Sequence, residues 1–256
     1  MEGGNPVVEQ FLDKVCSLFE RHLKSNLIGV YLHGSLAMGC FQPQKSDVDI
    51  LVIVKEKLSK EKKKGLIQDI LQLEEYNLEM SVLVEKDIID FKHPSPFELH
   101  YSQVHRDRYL QDPDYLCGDT VDPDLAAHLV VTYERGICLL GKPVKSVFKK
   151  IDRSYYIQSI VFDIDNSVQE IIHNPVYYIL NLCRVLYYLS EGVVSSKKEG
   201  GEWGEKMVPH EYKELISKAL SQYMNPKFCG FGVNDMFLKE FATYMLQEIK
   251  SFEIVG

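Results

Sequence analysis

The chain has 256 residues, 45% of them hydrophobic, with 29 Lys+Arg set against 37 Asp+Glu for a net charge of −8. That length suits two domains, and the apolar share suits a packed core. The acidic balance argues against a duplex-binding surface, which needs a basic face, and no stretch reaches the ~20 apolar residues of a membrane span. The opening run VVEQFLDKVCSLFERHL is charged throughout, unlike a signal peptide. Six cysteines at 16, 40, 117, 138, 183 and 229 include no Cys-x-x-Cys pair. They read as reduced core thiols of a cytoplasmic protein.

In chain order, Val8, Phe11, Leu12, Val15, Leu18 and Phe19 recur at helical spacing, so residues 7–23 predict an amphipathic helix. LIGVYL follows as a short strand ending at His33, then a Gly34-Ser35 turn and one small-residue helical turn over Leu36 to Cys40. A second strand runs from Asp47 to Val54. The next helix buries Leu66, Ile67, Ile70 and Leu71, and its lysine-rich start, KEKLSKEKKKG, reads as a solvated helix end. NLEMSVLV at 77–84 is a third strand, with Leu78, Met80, Val82 and Val84 on one face and Glu79 on the other. PSPFELHYS is a proline-punctuated loop with a short strand, and the histidines 93, 100 and 105 match no zinc spacing.

From about residue 124 the pattern turns helical. DPDLAAHLVVTYERGICLLG reads as one helix with an Asp/Pro start and a Gly stop. Further helices are expected near 154–172, 175–191, 209–222 and 234–251, the second with Asn174 as N-cap, Pro175 at its first position and Gly192 past its end. Ser196 and Glu199 have capping-box spacing, which puts Lys197 at a helix start. Trp203, the lone tryptophan, is expected to pack that short helix against the bundle. The division falls near residue 152: an α+β chain with a mixed-sheet domain over 1–152 and an all-α helical bundle over 153–256.

Carboxylates at Asp47 and Asp49 interrupt the apolar strand VDILVIV. Residues two apart on a strand face the same way, and two neighbouring carboxylates repel unless a cation joins them or one keeps its proton. Magnesium binds through one or two carboxylates plus substrate phosphates. Gly34-Ser35 lets a phosphate approach the backbone and offers a hydroxyl, and Ser46 adds another. Tyr177, Asn181, Arg184 and Tyr188 form a polar stripe on an otherwise apolar helix.

The stretch HGSLAMGCFQPQKSDVDILVIV resembles the signature of the nucleotidyltransferase superfamily shared with polymerase β-like enzymes. The resemblance implies a polymerase β-like N-terminal domain, two Mg²⁺ ions, and in-line attack of a hydroxyl on the α-phosphate of a nucleoside triphosphate. Glu79 would complete the metal-binding set with Asp47 and Asp49 and act as general base. NPVYYILNLCRVLYYLSEGVVSSKKEGGEW resembles the C-terminal helical domain of the streptomycin/spectinomycin adenylyltransferases, the aminoglycoside-resistance enzymes. By that resemblance Arg184 and Lys197 reach the nucleotide phosphates and Tyr223 lies near the nucleotide, which is expected to be ATP.

Two positions depart from the streptomycin-modifying members. Val104 stands where they carry a drug-stacking tryptophan, and Asn174 stands where they carry an acidic residue. The acceptor is expected near Asn174, Val104, Tyr177 and Asn181. Asp163, Asp165 and Glu98 are acidic candidates to face a cationic acceptor, but each is read as an ordinary surface charge. The expected function is Mg²⁺-dependent AMP transfer from ATP to a hydroxyl of a cationic aminoglycoside or aminocyclitol. The enzyme is expected to be a monomer or weak dimer with no nucleic-acid or membrane partner. The alternative is a regulatory or toxin-related nucleotidyltransferase acting on another small molecule or on a protein or RNA hydroxyl.

Overall fold

The computed structural model describes residues 6–225 and 231–253, so Cys229 lies outside the described residues. The chain divides after Tyr156 into two compact units. In chain order the first carries α1 (Pro6–Leu23), β1 (Leu27–His33), α2 (Gly34–Ala37), β2 (Val48–Val54), α3 (Lys60–Ile70), β3 (Leu78–Val84) and α4 (Glu85–Ile89). There follow β4 (Ser95–Phe97), β5 (Leu99–Tyr101), α5 (Gln103–Gln111), β6 (Thr120–Asp122), α6 (Leu125–Arg135), β7 (Ile137–Gly141) and α7 (Val144–Val147). The division falls within α8 (Arg153–Phe162), and the second unit continues with α9 (Ser167–Glu170), α10 (Pro175–Glu191), α11 (Lys197–Met207), α12 (His210–Met224) and α13 (Asp235–Glu253).

The first unit is built on a five-stranded sheet in the order β5-β3-β2-β1-β7, with β4 and β6 forming a separate pair. Only β2 and β3 run parallel; the other neighbours are antiparallel. Because side chains alternate along a strand, the sheet has two apolar faces. Val30, Leu32, Ile50, Val52, Met80 and Val82 pack beneath α1 and α3, whose buried stripe of Val8, Phe11, Leu12, Val15, Leu18 and Phe19 is the one the sequence predicts. Tyr31, Leu51, Ile53 and Leu83 face α6 and α7 through Leu125, Leu129, Val147 and Phe148. The end of that second face carries polar residues in place of apolar ones.

Four local expectations are corrected. The single helix expected over 122–141 stops at Arg135, and residues Ile137–Gly141 form β7 against β1. A continuous apolar run such as Ile-Cys-Leu-Leu does not distinguish helix from buried strand; Gly136 ends the helix, and the open edge of β1 recruits the apolar run beyond it. The helix expected over 154–172 breaks into α8 and α9, because the Asp-Ile-Asp-Asn run at 163–166 favours turns. The lysine-rich start of α3 is not wholly solvated. Lys63 is 2% exposed and sits 3.3 Å from Glu98, which is 4% exposed, and 2.6 Å from Asp119. Glu98 also accepts the Leu58 backbone N–H at 3.1 Å, so it ties the loop before α3 to β5 and is no surface charge.

The second unit conforms more closely. α10 has Asn174 as N-cap, Pro175 at its first position and Gly192 in the left-handed conformation (φ 72°) past its end. α11 begins with the capping box: Glu199 donates its N–H to Ser196 Oγ (3.1 Å), and Ser196 donates its N–H to Glu199 Oε2 (2.7 Å). Trp203 stacks on Tyr187 of α10 with ring centroids 5.1 Å apart. Among the described residues no helix is long and apolar enough to cross a membrane.

Breaking a buried ion pair from one side strands its partner, at a cost of about 3 kcal/mol or more. Glu98→Ala is therefore expected to lower the unfolding free energy by about 3 kcal/mol in urea titration, with Asp119 retaining part of Lys63's charge compensation.

Candidate active site

The polar end of the sheet is set by strand register. In β2, Asp49 lies opposite His33 of β1 on one side and Glu79 of β3 on the other. Adjacent strands are about 4.8 Å apart, so His33, Asp49 and Glu79 form a row of side chains on one face. Asp47 lies one residue ahead of β2, whose pairing begins at Val48 against Leu78. Asp47, Asp49 and Glu79 are all half-buried.

Gly34 follows His33 directly and has φ 63°. A Cβ there would lie 1.8 Å from Asp49 Oδ2, so the carboxylate packs against the bare glycine backbone. The turn continues through Ser35, whose carbonyl accepts the Cys40 N–H (3.0 Å) while its hydroxyl oxygen is buried with no hydrogen-bond partner. Ser46 closes the preceding loop: Gln42 donates its N–H to Ser46 Oγ (3.1 Å), and Ser46 donates its own to Gln42 O (2.8 Å).

Two histidines next to these carboxylates were not singled out from the sequence. His33 is 4% exposed, and its ring centroid is 4.9 Å from that of His128 on α6. His128 shares a 3.0 Å hydrogen bond with Asp124, one helical turn earlier. Burial disfavours charge on His128. The Asp124 carboxylate and its hydrogen bond, with the Glu79 and Asp49 charges, outweigh that effect and raise it to about 10. His33 goes the other way: burial, then the charge on His128, hold it well below the usual imidazole range. A protonated imidazole thus balances the carboxylate row from α6, while a neutral one flanks it. The Asp-x-x-x-His spacing of 124 and 128 was the visible signal, since residues four apart meet on a helix.

Farther along the same face His100 shares a 3.0 Å hydrogen bond with Ser81, its partner across β3 and β5. Burial, then the neighbouring histidines 105 and 128, lower it to about 4. His105 in turn shares a 2.8 Å hydrogen bond with Tyr115. His100 and His105 thus form a hydrogen-bonded aromatic cluster, their ring centroids 5.5 Å apart.

Among the described residues no group of three or more His, Cys, Asp or Glu side chains is arranged to hold a metal ion. Magnesium does not require such a cage, since substrate phosphates supply much of its shell. The hard oxygen donors of Asp49 and Glu79 in adjacent register, beside the orphaned Ser35 hydroxyl, suit that cation with a phosphate.

The second unit assembles a different set. Arg184, Tyr177 and Asn181 share α10. Asp163, in the turn after α8, accepts the Tyr177 hydroxyl at 2.5 Å and lies 3.8 Å from Arg184 Nη2, so it is more than a surface charge. The Lys197 ammonium sits 4.7 Å from the Tyr177 ring centroid. Asn181 is fully buried, and both its amide atoms lack a hydrogen-bond partner, as does Arg184 Nε. Asn174 and Val104, by contrast, are exposed, Val104 at 88%, and Tyr223 is half-buried on α12.

The mixed sheet with its Gly-Ser turn and carboxylate row is the arrangement of a nucleotidyltransferase, and residues 8–107 match the nucleotidyltransferase domain model. Residues 146–248 match the aminoglycoside adenylyltransferase C-terminal domain. An aminoglycoside (3'') (9) adenylyltransferase of Escherichia coli is 26% identical, over 96% of this chain and 95% of the relative. A spectinomycin 9-adenylyltransferase of Enterococcus faecalis is 27% identical, over 83% of this chain and 86% of the relative. An enterococcal spectinomycin adenyltransferase solved with ATP and spectinomycin shares the fold at a TM-score of 0.81 and 23% identity, covering 94% of this chain and 99% of that one. The chain is a nucleotidyltransferase enzyme, and over nearly its whole length it is similar to the aminoglycoside adenylyltransferases.

Gly34→Ala would force a left-handed residue at a cost of about 1–2 kcal/mol and drive a methyl into the Asp49 carboxylate. The expected result is a lower Tm together with loss of nearly all nucleotidyl transfer, read by calorimetry and pyrophosphate release. Gly39→Ala serves as control, since it has a comparable φ of 72° but open space around it.

Proposed function

We propose that this enzyme transfers AMP from ATP to a hydroxyl of an aminocyclitol or aminoglycoside and releases pyrophosphate. The observation that carries the reading is the register pairing of Asp49 with Glu79 beside the Gly34-Ser35 turn. Full-length similarity to adenylyltransferases of these antibiotics supports the choice of acceptor.

Glu79 takes the proton of the acceptor hydroxyl, whose oxygen attacks the α-phosphorus. The bond from that phosphorus to the bridging oxygen breaks, and the electron pair leaves with pyrophosphate. A base in hydrogen-bond reach of the attacking group contributes roughly 10²–10⁴-fold. Asp47 and Asp49, with Glu79 as a further ligand, would hold two Mg²⁺ ions. When bound, the metal offsets charge on the triphosphate and leaving oxygens. Ser35 offers its unpartnered hydroxyl to phosphate oxygens with the Gly34 backbone alongside, and Ser46 adds a second hydroxyl.

In the second unit Arg184 and Lys197 bind the triphosphate, with Tyr223 near the nucleotide. Tyr177, Asn181 and Asn174 are assigned to the acceptor, as is Val104. Neither Val104 nor Asn174 offers an aromatic stack or a carboxylate, which favours an acceptor of spectinomycin type. We place the enzyme in the cytoplasm, where ATP is at hand and the free cysteines 16, 40, 117, 138 and 183 stay reduced. It would act there as a monomer or weak dimer, without nucleic acid or membrane.

The test is pyrophosphate release with Mg·ATP against a panel of spectinomycin, streptomycin and other aminoglycosides, with Asp47→Asn/Asp49→Asn as control. Release with at least one drug, abolished in the control, is expected; silence across the panel with Mg·ATP still bound would remove the acceptor assignment. Glu79→Gln is expected to lower kcat by about 10²–10⁴-fold while retaining Mg·ATP binding by calorimetry. Asp47→Asn is expected to weaken that binding as well.

A further inference from the structure

The two cations assigned to the triphosphate do not stand alone in the second unit. Asp163 uses both carboxylate oxygens: Oδ1 accepts the Tyr177 hydroxyl at 2.5 Å, and Oδ2 lies 3.8 Å from Arg184 Nη2. The second distance is too long for a hydrogen bond but within ion-pair range. The carboxylate thus attracts the guanidinium without occupying its N–H groups. Arg184 Nε is buried with no partner, a donor still to be used.

The Lys197 ammonium stands 4.7 Å from the Tyr177 ring centroid, a cation–π distance. The backbone keeps these groups in place. Gly200, one turn into α11, lies so close to α10 that a Cβ there would be 2.8 Å from Arg184 Cα. α11 therefore rests on α10 at the residue whose side chain matters. Asp163 itself is delivered by the turn between α8 and α9, where its N–H still bonds Ser159 O at 3.2 Å.

We propose that Asp163 is the positioning residue of the phosphate clamp, holding Arg184 directly and Lys197 through Tyr177, and this rests on the assignment of those two cations to the triphosphate. Arginine loses considerable rotamer freedom when it is ordered. A guanidinium already steered into place gives up less of that freedom when phosphate arrives. A phosphate, with more charge and bidentate geometry, then takes the N–H groups that Asp163 leaves open. Asp163 also subtracts charge from the clamp. Steering and charge loss predict opposite signs for its removal, and steering dominates.

The experiment measures Mg·ATP affinity by calorimetry, and KM and kcat by pyrophosphate release, for Asp163→Asn, Tyr177→Phe and Arg184→Ala. Asp163→Asn is expected to raise Kd and KM for Mg·ATP by about three- to fivefold, the range of a partly exposed ion pair. The change in kcat should be under twofold, with the acceptor KM unaltered and Asp163→Glu restoring part of the loss. Tighter or unchanged Mg·ATP binding in Asp163→Asn, while Arg184→Ala weakens it, would overturn the proposal alone. A change confined to the acceptor KM would also overturn it, since Asp163 would then face the acceptor. Unchanged Mg·ATP binding in Arg184→Ala would instead overturn the assignment of that arginine to phosphate. If Asp163→Asn melts below the assay temperature, Tyr177→Phe carries the test: a rise in Kd of about twofold supports the proposal and an unchanged Kd overturns it.

Discussion

β2 is held between an antiparallel neighbour and a parallel one, and the chemistry of the first unit depends on that double pairing. Register with β1 sets Asp49 opposite His33, and register with β3 sets it opposite Glu79. A slip of one residue on either side would exchange the two faces of a strand, sending the carboxylates under α1 and α3 and bringing Ile50 or Met80 to the polar end. Apolar packing on both faces opposes such a slip, since Val48, Ile50, Val52 and Val54 belong to one core and Leu51 and Ile53 to the other. The hydrophobic core thus acts as the jig for a charged row.

Placing like charges side by side at the end of an apolar sheet is costly unless something offsets them. In this chain α6 supplies part of that offset through His128, whose proton is stabilised by Asp124 as well as by the row itself. The bare glycine at 34 lets Asp49 fold back against backbone without a side chain intervening. Both devices lie outside the Asp-x-Asp motif, yet they decide how closely two carboxylates stand and how much of their charge is left uncompensated.

The second unit solves a positional problem by close approach. Gly200, Gly201 and Gly204 leave no room for a Cβ against Arg184, Leu180, Leu220 and Cys183, so α11 seats directly on its neighbours. Its first residue, Lys197, is thereby held near Tyr177, and the break between α8 and α9 brings Asp163 to the same place. Turn-favouring residues at 163–166 look like an interruption in a helix, and their structural effect is to deliver a carboxylate.

Sequence by itself determined the elements with strong periodicity or caps: the buried stripe of α1, the three central strands, the termini of α10 and the capping box of α11. It also determined the Gly-Ser turn and the carboxylates, because their chemistry is written in adjacent letters at fixed spacing. Tertiary structure alone decided that 137–141 would be a strand, since only the open edge of β1 distinguishes a strand from a helix in a continuous apolar run. It alone decided that Lys63 and Glu98 would be buried together, that His33 and His128 would flank the row, and that Asp163 would meet Arg184. These are contacts between residues far apart in the chain. Their energy comes from burial and charge compensation, which no local pattern of residues contains.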